Sequence, residues 1–536
     1  MLTDIGKEGN MDYTFKMNQN MAKNLAGGTS FKQDKFVSLR KWLLIGSMSN
    51  LFYATKEEMT EVNIQILNEC IEENPQKVGE EIIYASKMGV SVHTPILALV
   101  PLSMGDETSK KIFKDIFPQV IRTASHLYEF MEYVKKFRGF GNIIQKTVQK
   151  WLEHKSYNDL EYQFLKYQNR YNWKHRDVLR KVKPKTYDPD KNSLYAWVVG
   201  KSKEISPNLQ KISVYENLKK GDLSTEEICS SIITHNLTHE MIPSNIQRDE
   251  KVWEALFLTM PMHATIRNII TLNRYRVFDN PKNIEILEER LSSDNLKKSY
   301  VHPIELVKAY VVCVDPSRSV SSKSKEQGLG DYKVPEKVIS ILEKAIYDSF
   351  EFIEPVGCSF YHALDVSGSM LSRVNNDMLF LLEIEGIFAL STIKKEKNYF
   401  VGGFSDNFIP LSKFTADMNF KEILCNKYRP GSLWPPRMSA TDASKAYEYA
   451  IKNKIFADVF VFWTDSENWV NDNQPHEWLR KYRHMINPNA KAIYITLAPY
   501  HDRTTLSDPS DPLSYDIVGY TSETPKIIQM IAKENF

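Results

Sequence analysis

The chain has 536 residues, 42% of them hydrophobic and 25% charged, with a formal net charge of +2. That length holds roughly two to four globular domains with real cores. The balanced charge decides nothing about partners, because a basic face can be offset by acidic helices elsewhere. Five cysteines (Cys70, Cys229, Cys313, Cys358, Cys425) are scattered without a C-x-x-C pair, which argues against a disulfide framework or zinc cluster and suits a reducing compartment. No apolar run approaches the ~18 residues of a membrane span, and the opening MLTDIGKEGNMDY lacks the basic-then-apolar profile of a signal peptide. A cytoplasmic protein without a membrane partner is expected.

Residues 1–28 are polar and read as a flexible leader. From residue 29 to about 355 the pattern is helical. In KKIFKDIFPQVIRTASHLYEFMEYV, Ile112, Ile116, Val120, Leu127, Phe130 and Val134 define one side, and Pro118 is expected to mark the break between two helices. Segments such as ATKEEMTEVNIQILNECIEE, NIIQKTVQKWLEHK, STEEICSSIITH, EKVWEALFLTMP and NIEILEERLSS follow, separated by short polar or proline-containing joints. Many helices in succession with little β signal predict an α-solenoid of helix pairs. Between Asp315 and Pro335 the composition turns to Ser, Lys and Gly, which reads as a linker or exposed loop.

After a last helix, PEKVISILEKAIYDSFEFI, the pattern becomes α/β over residues 356–536. Strand-like runs at FYHALDV, YFVGGFS, DVFVFWT and AIYITLA alternate with helical ones at MLFLLEIEGIFALSTI, DASKAYEYAIK and HEWLRKYRHM, which predicts βαβ crossovers and a mostly parallel sheet. In DVSGSM, Asp365, Ser367 and Ser369 put hard oxygen donors at alternate positions of a turn, with Gly368 between them. This is the chemistry of a small divalent cation such as Mg²⁺, which takes about six oxygens. Thr441, in a loop before a helix, and Asp465, ending the strand ADVFVFWTD, supply further oxygens where ligands sit in open sheets.

Asp-x-Ser-x-Ser followed by a lone Thr and a strand-terminal Asp resembles the metal-ion-dependent adhesion site of von Willebrand factor A domains. A helical array ahead of such a domain resembles the Ro ribonucleoprotein family, whose helical part is the TROVE domain. RKWLLIGSMSNLFYA is similar to that family's RFLxxGSxxxxYY segment, KYQNRYNWKHRDVLRKVKPK to its KYxxRxGWxHKDLLR, and HEMIPSNIQRDEKVWEALFLTMPMHATIRNI to its REHLxT … VWxALLxxMPxTAxxRNL. The resemblance implies a multidomain protein, with an α-helical HEAT-like repeat ring over 29–355 closed by a doubly wound α/β A domain over 356–536. It implies binding of small noncoding (Y-like) RNA outside the ring and of the single-stranded ends of misfolded RNA through its hole, in RNA quality control or as a scaffold. A monomer is expected, and no enzyme, since no positioned general base accompanies the oxygen cluster. Ser367, Ser369 and Thr441 are the implied ligands of Mg²⁺, with Asp365 and Asp465 holding its waters and a protein partner filling the open position. The implied RNA contacts are Lys166, Arg170, Lys174, His175, Arg180 and Lys183, with Lys146 and Arg267 beside them. The chain departs from the family pattern at Gly141-Asn142, at Ser439-Ala440, and in RKVKP, which lacks a histidine.

The basic segment speaks for itself as well. Lys166, Arg170, Lys174, Arg176, Arg180, Lys181, Lys183 and Lys185 face a single acid, Asp177, with Tyr167, Tyr171 and Trp173 interleaved; this supplies phosphate-neutralising charge and stacking surfaces. Lys166 and Arg170, four apart, are expected on one helix face. Without the resemblance, the same residues suit equally a solvated helix face with its aromatics in the core. Gly200-Lys201-Ser202 is no phosphate loop, because Tyr195 stands where the first glycine belongs. His235, His239 and Glu240 do not follow the H-E-x-x-H order. A metal-dependent protein-adhesion scaffold that ignores RNA is the alternative reading.

Overall fold

The computed structural model describes residues 21–23, 29–32, 34–45, 56–89, 91–202, 204–299, 301, 303–318, 333–351, 354–374, 377–424, 432–435, 440–465, 467, 474–498, 504–508, 510–520 and 524–533. After strands β1 (Met21–Lys23) and β2 (Thr29–Lys32) comes the helical array. It comprises α1 (Lys35–Ile45), α2 (Lys56–Glu73), α3 (Pro75–Met88), α4 (His93–Leu102), α5 (Glu107–Val120), α6 (Ala124–Phe137), α7 (Asn142–His154), α8 (Tyr157–Lys166) and α9 (His175–Val182). It continues through α10 (Pro189–Val199), α11 (Gln210–Lys220), α12 (Thr225–His235), α13 (Glu250–Thr259), α14 (Met262–Arg274), α15 (Pro281–Arg290), α16 (Ser293–Lys298), α17 (Pro303–Val314) and α18 (Glu336–Phe350).

Local sequence sets these boundaries. Asp106, Thr123 and Ser156 each accept a backbone N–H of the first turn of α5, α6 and α8, and Ser224 with Glu227 forms a reciprocal capping box on α12. The apolar stripe of α5 and α6 is buried as expected, with Phe113, Phe117 and Phe130 in mutual ring contact at 5.0–6.0 Å. Pro118 does not separate the two helices. It lies inside α5, and the break falls after Val120, because a proline near the C-terminal end forfeits little of the remaining ladder. Packing joins next-but-one neighbours in the first half of the array, α1 on α3, α3 on α5, α5 on α7 and α7 on α9, as well as consecutive helices such as α12 and α13. That is the habit of a helical solenoid.

The second domain contains β3 (Phe360–Asp365), α19 (Leu381–Ile393), β4 (Tyr399–Phe404), β5 (Phe408–Pro410), α20 (Ser444–Lys452) and β6 (Val459–Thr464). It ends with α21 (Pro475–Met485), β7 (Lys491–Thr496), β8 (Thr504–Thr505), β9 (Ser514–Val518) and α22 (Thr524–Lys533). The sheet order is β5-β4-β3-β6-β7-β9, parallel except for β5. The chain leaves β3 toward β4 and later crosses back to β6 on its other side, so the order reverses at β3, where open sheets bind ligands. One face of the sheet carries an aromatic cluster of Tyr361, Tyr447, Phe460, Phe462, Tyr482 and Tyr494. On the other face α19 is buried over its whole length, as befits a helix that is apolar nearly all round.

The helical array starts and ends on this domain. Helix α1 touches β9, and β2 pairs antiparallel with β8 through Phe31 with Thr505 and Lys32 with Thr504. At the other end Tyr310 and Tyr347 pack edge-on against Phe420 at 5.0 and 5.6 Å, and Lys308 pairs with Asp377. Two expectations change. Met21–Lys23, assigned to the leader, form a strand paired with β2, because extended backbone next to an edge gains a ladder of hydrogen bonds. Within the expected linker, Arg318 is anchored on Glu383 of α19 at 2.7 Å, while residues 319–332 lie outside the described residues. Among the described residues no helix is long and apolar enough to cross a membrane.

Candidate metal centre and nucleic-acid interface

Strand register gathers the oxygen donors. Asp365 ends β3 opposite Phe404 of β4, and on the other side Leu364 pairs with Trp463, so Thr464 and Asp465 follow directly beside it. The Asp442 N–H donates to the Ser405 carbonyl just past β4 at 2.9 Å, which carries neighbouring Thr441 to the same end of the sheet. Asp365, Ser367, Ser369, Thr441 and Asp465 are all buried. The Asp365 carboxylate accepts the Ser367 N–H at 3.0 Å and the Thr464 hydroxyl at 2.7 Å, and the Ser367 and Ser369 hydroxyls stand 3.1 Å apart. Complete burial holds the Asp365 carboxyl well above the usual carboxylate range, and the negative charge of Asp465 adds to the effect. Two hydroxyls directed together beside two buried, mutually repelling acids fit a hard divalent cation, which would offset both charges. Of the Ser439-Ala440 departure, Ser439 is outside the described residues, whereas Ala440 and Thr441 are described.

The basic segment is built differently from its sequence pattern. Helix α8 stops at Lys166, and Arg170 lies beyond it in a small hairpin in which Arg170 and Trp173 exchange backbone hydrogen bonds at 2.8 and 3.1 Å. Tyr171 and Asn172 between them have φ of 51° and 61°, the left-handed pair of a tight two-residue turn. A helix face therefore does not align Lys166 with Arg170. They nonetheless share a neighbour: His239, whose pKa is lowered by burial and further by the charges of Lys166 and Arg170, against the pull of Glu240. Lys166 also donates to the Tyr162 hydroxyl at 3.0 Å. The turn is held from beneath, since Trp173 is buried and donates its indole N–H to Glu132 at 2.9 Å. Trp173 thus belongs to the core and offers no stacking surface.

His175 is a second departure. Its ring is 6% exposed, lies 3.8 Å from the Phe164 ring centre and 4.9 Å from that of Tyr128, and is placed 3.3 Å from the Gln163 carbonyl. Burial depresses its pKa to about 3. His175 therefore braces α9 from inside, where no RNA reaches it. Arg170, Lys174, Arg180, Lys183 and Lys146 are exposed; among the described residues none has a carboxylate within ion-pair distance. Lys146 joins the α9 group because Gln145 and Gln149 on its helix donate to the Val182 carbonyl at 3.3 and 2.5 Å. Arg267 is exposed on α14, which packs on α13 and α17, in a later part of the array. His239, set aside as a metal ligand on its spacing, stacks its ring on Trp253 at 5.8 Å. Among the described residues no three His, Cys, Asp or Glu side chains converge as metal ligands, so His235, His239 and Glu240 form no such set. Gly200 ends α10 with φ of 76°, a helix cap and no phosphate loop.

Residues 22–227 and 232–345 match the TROVE domain, and residues 359–532 match the Ro60 vWA domain. The chain is 26% identical to a Caenorhabditis elegans protein named RNA-binding protein RO60, over 96% of this chain and 90% of that one. It is 24% identical to a protein of the same name from Deinococcus radiodurans, over 98% and 97% of the two chains. The crystal structure of the Deinococcus radiodurans RO (RSR) protein superposes with a TM-score of 0.68 at 21% identity, covering 93% of this chain and 99% of that chain, which shows a shared fold. With both domains matched in sequence and in order, this chain belongs to the TROVE-domain family and carries a vWA domain of the Ro60 type.

Proposed function

We propose that this protein binds RNA through the exposed cations of the 166–183 segment and α7, taking small noncoding, Y-like RNA and the single-stranded ends of misfolded RNA, in RNA quality control or as a ribonucleoprotein scaffold. The observation that carries this reading is that Arg170, Lys174, Arg180, Lys183 and Lys146 stand exposed and, among the described residues, outside any ion pair, on backbone braced by buried Trp173 and His175. Cations fixed in place without carboxylate partners are ready to release the counterions of a polyanion. The names of the relatives support the same reading. Binding rather than catalysis is the activity, and the protein acts as a cytoplasmic monomer; Cys70, Cys229, Cys313 and Cys358 are free thiols, which suits a reducing compartment. At the A domain, Ser367, Ser369 and Thr441 would ligate Mg²⁺, with Asp365 and Asp465 holding its waters, and the ion would accept a carboxylate from a protein partner.

The test is a gel shift with structured RNA over a salt series. The expected affinity falls steeply with salt, and Lys166→Ala with Arg170→Ala weakens binding while flattening the log–log salt slope by about 1.5, the share of two phosphate contacts. Binding that ignores salt, or no binding, leaves the adhesion scaffold as the better account.

A further inference from the structure

Among the described residues no large apolar side chain is as exposed as Tyr187, at 104% of its reference surface. The ring occupies a position that ordinarily packs. Tyr187 directly precedes Asp188, the N-cap of α10, which accepts the N–H groups of Asp190 and Lys191 at 2.9 and 3.1 Å. An apolar residue there usually staples against the fourth helical residue, but that residue is the exposed, polar Asn192, and the staple is not made.

The backbone beneath the ring is tethered on both sides. Gln149 donates to the carbonyls of Val182 and Lys183 at 2.5 and 3.4 Å, Thr186 accepts the Asp188 N–H at 3.1 Å, and Asn192 donates to the Thr186 carbonyl at 3.1 Å. Lys183 takes a left-handed conformation with φ of 49° and caps the end of α9. Lys183 and Lys185 are exposed, with no carboxylate in ion-pair range among the described residues. Two residues of chain place their Cα atoms at most about 7 Å apart, so both side chains can reach phosphates of one short stretch of strand.

Resting on the RNA-binding reading above, we propose that Tyr187 stacks against an unpaired base of single-stranded RNA while Lys183 and Lys185 hold the phosphates on either side. Aromatic stacking accepts any base, because every base has a π-face; the site selects for single-strandedness.

The test uses the full chain, a short single-stranded oligouridine and a blunt RNA duplex, read by fluorescence anisotropy. Tyr187→Ala is expected to weaken oligouridine binding about tenfold and leave the duplex unchanged, and Tyr187→Phe to keep wild-type affinity for both. Wild-type oligouridine binding by Tyr187→Ala overturns the stacking assignment while RNA binding stands, as does an equal loss on both RNAs. If the unaltered protein binds neither RNA in a salt-dependent manner, the parent reading fails and this one with it.

Discussion

Removing the Arg318 guanidinium tests how the two domains are joined. Arg318 donates through Nη1 to both Glu383 oxygens at 2.7 Å, lies over the Phe380 ring at 5.4 Å and reaches the Leu424 carbonyl at 3.4 Å. The side chains are only 15% and 5% exposed, so the pair is largely withdrawn from water. In Arg318→Ala, Glu383 keeps the Phe380 N–H at 3.1 Å and the weaker pull of Arg373, and loses its ion-pair partner. Stranding one member of a buried pair costs roughly 3–5 kcal/mol, and the residual exposure of Arg318 favours the lower end, about 3 kcal/mol. For a unit of this size that lowers Tm by roughly 6–12 °C in differential scanning calorimetry. Acidity gives the expectation its sign. Burial raises the Glu383 pKa while Arg318 opposes the rise, so the substitution lets it climb further. A carboxyl whose folded pKa is raised adds stability below its unfolded value and loses it as pH increases. The defect should therefore be largest near pH 8 and shrink toward about pH 5. Replacing both partners, Arg318→Met with Glu383→Leu, should recover most of the loss. A single variant that melts within about 1 kcal/mol of the parent, or a defect that grows in acid, refutes this account of the joint.

The metal centre and the buried histidine give two more expectations. Mg²⁺ at a hundredfold excess over Kd should stabilise the protein by about 2.7 kcal/mol, and Ser367→Ala with Ser369→Ala should abolish that gain in thermal melts; an unchanged shift means that the ion sits elsewhere. His175 titrates from 6.5 unfolded to about 3 folded, so its contribution is present above 6.5 and lost as pH falls through that window. His175→Phe should thus unfold at lower pH in urea melts while binding RNA as the parent does, and a selective loss of RNA affinity would return His175 to the binding surface.

DVSGSM was legible because donors at alternate positions close an apolar strand, and Asp465 because it ends another; strand chemistry of this kind needs no partner to be seen. The stripe from Ile112 to Val134 was legible for the same reason, as periodicity within a helix is local. Trp173 and His175 were not. Amid lysines and arginines their types suit a ligand face and a core equally, and only Glu132, Phe164 and Tyr128, remote in sequence, decide between the two. Arg318 hid in a Ser- and Lys-rich stretch whose composition speaks for solvent, while Glu383 lies 65 residues on. The strands β5, β8 and β9, of three, two and five residues, are too short to announce themselves.

The pairing of Phe31 and Lys32 with Thr505 and Thr504 has a bearing on biosynthesis. On the ribosome, β2 waits for its neighbour until Thr505 has been translated, the whole helical array later, although chains otherwise tend to mature from the amino end. Throughout that interval β2 keeps an open flank, an invitation to promiscuous association. A nascent chain of this protein is accordingly a natural client for chaperones, and expressing the helical half alone would make that vulnerability permanent.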